Sequence, residues 1–188
     1  SMLESLLTYL GDRETSDLDR PNMDLKMARA IHYVIGADKS LGNNWQIGIE
    51  AYYQDLYDVP IKNDSSSSWS SINKTNGKVV RDLINEGTGF NYGMELSLRK
   101  AFDNNWYMMA NASIFESKYK TLDGVLRNTI YNNNFIYNLT AGKDFKTGRK
   151  KSNIFGANMK VLWMGGRRTT PIDLERSIAT GETKYTND

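Results

Sequence analysis

The stretch Gly89-Phe90-Asn91-Tyr92-Gly93-Met94-Glu95-Leu96-Ser97-Leu98-Arg99 decides the fold. Phe90, Tyr92, Met94, Leu96 and Leu98 hold every second position, with Gly89, Asn91, Gly93, Glu95, Ser97 and Arg99 between them. A helix would space its apolar residues by three and four. Strict alternation belongs to a β-strand with one apolar and one polar face, because successive side chains of a pleated strand point to opposite sides.

The same period recurs on both sides of this stretch. Upstream, Ile31, Tyr33, Ile35 and Ala37 alternate with His32, Val34, Gly36 and Asp38; Trp45, Ile47, Ile49, Ala51 and Tyr53 alternate with Gln46, Gly48, Glu50, Tyr52 and Gln54. Downstream, Trp106, Met108, Ala110, Ala112 and Ile114 share a face, although Tyr107, Met109 and Phe115 blur the contrast behind them. Phe135, Tyr137, Leu139 and Ala141 form a fifth series, and Phe155, Ala157, Met159, Val161 and Trp163 a sixth. These segments run roughly 9–13 residues, closer to the ~9–11 of a strand that crosses a bilayer than to the ~5–6 usual in water-soluble sheets.

The connections alternate as well. Residues 38–43, 101–105 and 146–152 are short turns rich in Asn, Gly, Asp and Lys, whereas 56–88 and 120–133 are long and polar, and another long segment begins at Gly165. Tight turns at one end and long loops at the other mark an up-and-down barrel in an outer membrane. Aromatic residues follow suit. Trp45 and Trp106 start strands just after short turns, Phe145 lies just before one, and Tyr53 and Trp163 sit at the far ends, as two interfacial belts require. Lys143 interrupts the apolar face near the short-turn end, where a long side chain reaches water. The expected fold is therefore all-β: about six antiparallel up-and-down strands of a transmembrane barrel wall over residues 28–164. A helix or loop segment at 1–27 precedes them, and an outer loop at 165–188 follows.

Composition narrows the function. Mean hydropathy is −0.58 and no run approaches the ~20 apolar residues of a membrane helix, but a one-sided strand averages low in any case. A net charge of +2 gives no electrostatic case for nucleic acid. With one histidine and no cysteine, no catalytic pair, cofactor or metal centre is expected, and the chain reads as a non-enzyme. Leu3, Leu6, Leu7 and Leu10 have the spacing of one helix face, ended by Gly11. Ser1-Met2 reads as a remnant followed by a start, with no basic-then-apolar leader after it.

The run Gly87-Thr88-Gly89-Phe90-Asn91-Tyr92-Gly93-Met94-Glu95-Leu96 resembles a barrel strand of TonB-dependent receptors of the Bacteroidetes type, those with an N-terminal carboxypeptidase-regulatory-like domain. His32-Tyr33-Val34-Ile35-Gly36, Ile49-Glu50-Ala51-Tyr52-Tyr53-Gln54, Ser117-Lys118-Tyr119, Asp123-Gly124-Val125-Leu126-Arg127-Asn128 and Gly165-Gly166-Arg167-Arg168-Thr169-Thr170-Pro171-Ile172-Asp173 extend the likeness from about Leu18 onward. It implies an outer-membrane nutrient importer whose barrel of about 22 strands surrounds a plug. This chain would supply some six strands, with lipid, the remaining barrel and the plug as partners, and TonB reached only through that plug. Such a piece is not transport-competent alone. Its open edges and apolar face call for more barrel, for self-association, or for a sheet folded over on itself.

Trp69, beside the serine run 65–68, is a candidate sugar-stacking ring, although a mobile loop tip is the stronger expectation. Arg127, Arg167 and Arg168 are candidate loop contacts for an anionic ligand. Glu50 and Glu95 share the polar face but are expected to be lumen carboxylates paired with residues such as Arg99 and Lys160, not an acid–base pair. His32 is expected to face the lumen, and Asp12, Glu14, Asp17 and Asp19 lack calcium-loop spacing. The competing function is a soluble all-β ligand- or sugar-binding module, in which the apolar faces would meet in a closed core.

Overall fold

Two asparagine pairs set the frame of the sheet. Asn43 and Asn44 (φ 48° and 65°) and Asn104 and Asn105 (φ 50° and 64°) all take left-handed backbone. Two successive positive φ angles make a type I′ turn, whose twist matches that of the strands it joins, and asparagine tolerates this region better than most residues. Each pair is followed by a tryptophan that starts the returning strand.

The structure is a computed structural model that describes residues 22, 24–73, 82–169 and 172–183. It contains β1 (Arg29–Gly42), β2 (Trp45–Lys62), β3 (Leu83–Asp103), β4 (Trp106–Lys120), β5 (Leu126–Asn128), β6 (Phe135–Thr147), β7 (Asn153–Met164) and one helix, α1 (Leu174–Thr180). All strands lie in one antiparallel sheet of order β1-β2-β3-β4-β6-β7, with β5 pairing on the outer end of β4. The sheet is open, and β1 and β7 are its edges among the described residues. The expected all-β, up-and-down architecture is what forms. The proposed leucine helix face and the acidic cluster Asp12–Asp19 lie outside the described residues.

Register aligns the alternating segments into continuous faces. Ala37, Ile49, Leu96, Ala112, Tyr137 and Trp163 form one row across the sheet, and Ile35, Ala51, Met94, Ile114 and Phe135 the next. Nothing among the described residues covers this face: Ile35 is 76 % exposed and Trp163 64 %. From Trp45 to Tyr53 it extends roughly 27 Å along the strand at ~3.4 Å per residue. Its ends are aromatic. Trp45 and Trp106 meet edge-on at 5.8 Å near the tight turns, while Tyr53, Phe90 and Tyr92 stack in series at the other end, and Phe135, Tyr137 and Trp163 cluster beside them.

Three features differ from the sequence-based expectation. β2 and β3 continue into the span 56–88 that alternation assigns to loop. Register shifts between Leu56 and Val59 and between Val59 and Ile61, with Asp58 at φ 55°, break the phase of the pattern without ending the pairing. A helix, capped by the Asp173 carboxylate accepting from the Arg176 amide at 3.0 Å and closed by Gly181 at φ 68°, stands within the expected outer loop 165–188. Lys100 also joins Lys143 as a cation on the apolar face. Its ammonium lies 4.5 Å above the Trp106 ring and donates to the carbonyls of Ala101 and Asp103.

The buried core is small and sits at the loop end of the polar face. Val59, Ile61, Leu83 and Tyr119 are its apolar members. A Cβ on Gly87 would fall 2.4 Å from Ile61 Cγ2 and 2.6 Å from the Val59 carbonyl, so only glycine fits there. The single 3-10 turn, Ser71–Asn73, places Ile72 near Gly89 on the same side.

Substituting both Asn104 and Asn105 by Val is expected to cost about 2–4 kcal/mol, since each residue loses roughly 1–2 kcal/mol in left-handed backbone. Asn105→Gly should change stability by less than about 1 kcal/mol. Denaturant unfolding in detergent micelles, followed by tryptophan fluorescence, measures both.

Candidate functional site

The polar face carries a trough because its middle is built from small residues. Glycine 36, glycine 48, Ser97 and Ser113 leave low ground between the longer side chains of Asp38, Glu50, Glu95, Asn111 and Asn138, enclosing about 380 Å³. A Cβ on Gly48 would lie 2.4 Å from Asp38 Oδ1 and 2.7 Å from Ser97 Oγ, so this glycine is what lets the two polar groups approach. A second hollow of about 370 Å³ continues toward the tight turns past Ser40, Gln46 and Arg99.

Glu50 and Glu95 stand directly opposite each other on β2 and β3. Like charges so placed oppose pairing. Ser113 offers Glu95 a hydroxyl at 3.5 Å. The expected pairing of these carboxylates with Arg99 or Lys160 does not occur. Register sets Arg99 against Gln46 and Lys160 against Thr140, two rows closer to the tight turns. His32 faces the same side and shares its Nε2 with Gln54 Nε2 at 2.7 Å, and Gln54 in turn accepts from Asn91. Three polar side chains on adjacent strands thus form one hydrogen-bonded row. Among the described residues no group of His, Asp and Glu has the arrangement of a metal site.

Above the trough, the loops are knitted to the strands. The serine run expected as a mobile tip is tied down. Asp64 Oδ1 accepts from the Ser66 amide at 2.9 Å and hydroxyl at 2.7 Å, and the Ser68 carbonyl accepts from the Tyr119 hydroxyl at 3.0 Å. The two Ser66 bonds, chiefly, hold the Asp64 carboxyl below the usual carboxylate range. Trp69 is half-buried in this segment, its amide donating to Ser67 Oγ at 3.3 Å.

The four candidate loop residues have different situations. Arg127 donates through Nη1 and Nη2 to both oxygens of Asp123, at 3.0 and 2.5 Å, and further to Thr121 Oγ1 and the Val125 carbonyl. The guanidinium and the Val125 amide hold the Asp123 carboxyl far below its ordinary range. Arg168 donates to the Asn132 carbonyl at 3.2 Å and to Asn134 Oδ1 at 2.6 Å. Arg167 beside it is exposed. Arg127 and Arg168 therefore serve the architecture of the 121–134 loop, although Arg168 is exposed like Arg167, while Trp69 and Arg127 are half-buried.

Sequence reasoning missed the polar knot beneath that loop. Asn132 is 0 % exposed and donates to Glu116 Oε2 and Asn128 Oδ1, and Asn134 donates to Glu116 Oε1 at 2.8 Å. The run Asn132-Asn133-Asn134 signals a turn by itself. The half-buried acceptor, Glu116, comes from a strand position where alternation predicts an apolar side chain.

Comparison with protein-family models, with curated proteins and with solved structures returned no match to this chain.

The Asp123 pairing has a defined pH window. Its folded-state pKa is depressed, so the contribution to loop order is fully present above the unfolded value near ~3.9 and is lost as pH falls further. Amide exchange at Val125, corrected for intrinsic rate, should be flat from pH 4 to 8 on this account. It should rise several-fold at neutral pH in Asp123→Asn.

Proposed function

We propose that the chain forms wall and outer loops of a transmembrane β-barrel in a bacterial outer membrane, within an energy-coupled nutrient importer of the TonB-dependent kind its sequence resembles. The observation that carries this reading is the continuous apolar face of a single open sheet, uncovered among the described residues and fringed by aromatic rings at both ends. At a strand tilt near 40° the face would stand roughly 20 Å tall, against about 25 Å for the apolar band of outer-membrane barrels.

Chemistry on the opposite face agrees with a wetted lumen. The trough, the His32–Gln54–Asn91 row and the small residues between them suit water and a polar passenger, not a packed core. The unpaired edges of β1 and β7 suit continuation into further strands, since backbone groups in hydrocarbon must all be bonded. The lumen would be filled by a plug, and contact with TonB would pass through that plug. Substrate contact within this chain would fall to the loops, with Arg167 and Arg168 as the exposed cations and Trp69 half-buried beside the serine run.

A soluble binding module requires the apolar faces to close on one another. Here they belong to one sheet and point the same way, which favours lipid as their partner.

Leu96→Arg, in the central apolar row, should cost about 2–4 kcal/mol of bilayer stability, and Ser113→Arg, beside Glu95 in the trough, less than about 1 kcal/mol. Equal costs, or a monodisperse wild-type chain in plain buffer by sedimentation velocity, would remove the barrel-wall reading.

A further inference from the structure

The β6–β7 turn handles its cations differently from the loop end, and from the neighbouring tight turn where Lys100 pairs with Asp103 at 4.0 Å. At the loop end, Arg29 is paired with Asp58, Lys62 with Asp64 at 3.6 Å, Lys118 with Glu116 at 3.1 Å and Arg127 with Asp123 at 2.5 Å. At the tight-turn end, Lys143, Lys146, Arg149, Lys150 and Lys151 crowd into and beside the β6–β7 turn, all of them exposed. None of these five forms an ion pair among the described residues. Asp144, within the same strand, sits on the face of β6 opposite Lys143 and Phe145, the face that Lys146 shares, with its carboxylate beside Gly156 and in no ion pair among the described residues.

The basic turn is continuous with the apolar face. Phe145 and Phe155 pair across β6 and β7 at 6.2 Å, and the Lys143 ammonium lies 5.4 Å from the Phe145 ring centre. One step toward the middle of the sheet, Trp106, Ala141, Ala157 and Met159 wall a shallow recess of about 430 Å³ with Lys143 at its rim. Cations held next to exposed aromatic rings, with an apolar hollow behind them, match a phosphate attached to an acyl chain. They match a soluble anion less well, since it has no use for the rings or the hollow.

We propose that the β6–β7 turn and the adjoining apolar face form a seat for anionic phospholipid headgroups in the leaflet at the tight-turn side. The seat rests on the barrel-wall reading and adds a lipid preference to it. Lys143 would grip a headgroup from the apolar side, while Lys146, Arg149, Lys150 and Lys151 would contact the phosphate plane. Each cation near a charged surface is worth about 1 kcal/mol, a factor of roughly five.

The test is flotation of the full chain with vesicles of phosphatidylcholine alone or mixed with phosphatidylglycerol, at low and high salt. The comparison variant is Lys146→Gln/Arg149→Gln/Lys150→Gln with Lys151→Asn, since Lys151 has φ 53° and asparagine tolerates that backbone. Lys62→Gln/Lys118→Gln, at the loop end, is the control. The expected result is a preference of at least about tenfold for the phosphatidylglycerol vesicles, weakened by salt, lost in the turn variant and kept in the control. Insertion into phosphatidylcholine alone should be the same for all three. Equal flotation of the wild type with both vesicles overturns the lipid seat and leaves the barrel wall standing. A turn-dependent preference without insertion into phosphatidylcholine sinks the wall, and with it a seat set in a barrel leaflet. Association with neither vesicle sinks both, and turn-dependent binding of soluble polyphosphate with no vesicle preference reassigns the turn to a soluble polyanion.

Discussion

The pleat of the β-strand is the constraint from which the rest follows. It divides every strand into two sets of side chains, and in this sheet one set has no described residue packed on it. A large apolar side chain left in water forfeits about 1.5–3 kcal/mol. Ile35, Tyr33, Phe155 and Trp163 are each 60 % exposed or more, and many others on this face exceed 40 %. Scaled by those exposures, the total comes to about 10–20 kcal/mol, as much as the 5–15 kcal/mol that holds an ordinary domain together. Water is therefore the wrong solvent for that face, and the small core at the loop end cannot compensate for it.

What the loops do is shaped by the same division. Since no described residue packs on the apolar face, the core among the described residues forms over the polar side. There Ile61, Val59 and Tyr119 gather above Gly87 and Gly89. The Asp64, Asp123 and Glu116 carboxylates then fasten the surrounding chain with short bonds to serine, arginine and asparagine. The mouth of the trough is thus framed by structure of its own, not by loose chain.

Most of the architecture was legible because period two survives wherever pairing is regular, and because Asn-Asn before a tryptophan announces a tight reversal. Alternation failed where backbone irregularity shifted its phase. The bulges around Asp58 hid the outer arms of β2 and β3, and the three residues of β5 are too few to show a period. Charge on the wrong face was harder still. Lys143 was recognisable near a turn, whereas Lys100 depends on two tryptophans separated widely in sequence and brought together only by register. The candidate arginines could be named from the sequence. That Arg127 and Arg168 are bonded into the 121–134 loop could not, since it depends on where Asp123 and Asn132 end up.

The two asparagine turns also dictate an order of assembly. Closing β1 onto β2, or β3 onto β4, takes only a two-residue loop, so almost no chain entropy stands in the way. Joining β2 to β3 across residues 63–82 costs about 2 kcal/mol more, from the logarithmic growth of loop entropy with length. Hairpins therefore precede the sheet, on a microsecond scale against slower docking. Each early hairpin exposes one greasy side and two ragged edges, so in water the half-assembled chain passes through the form most prone to stick to copies of itself.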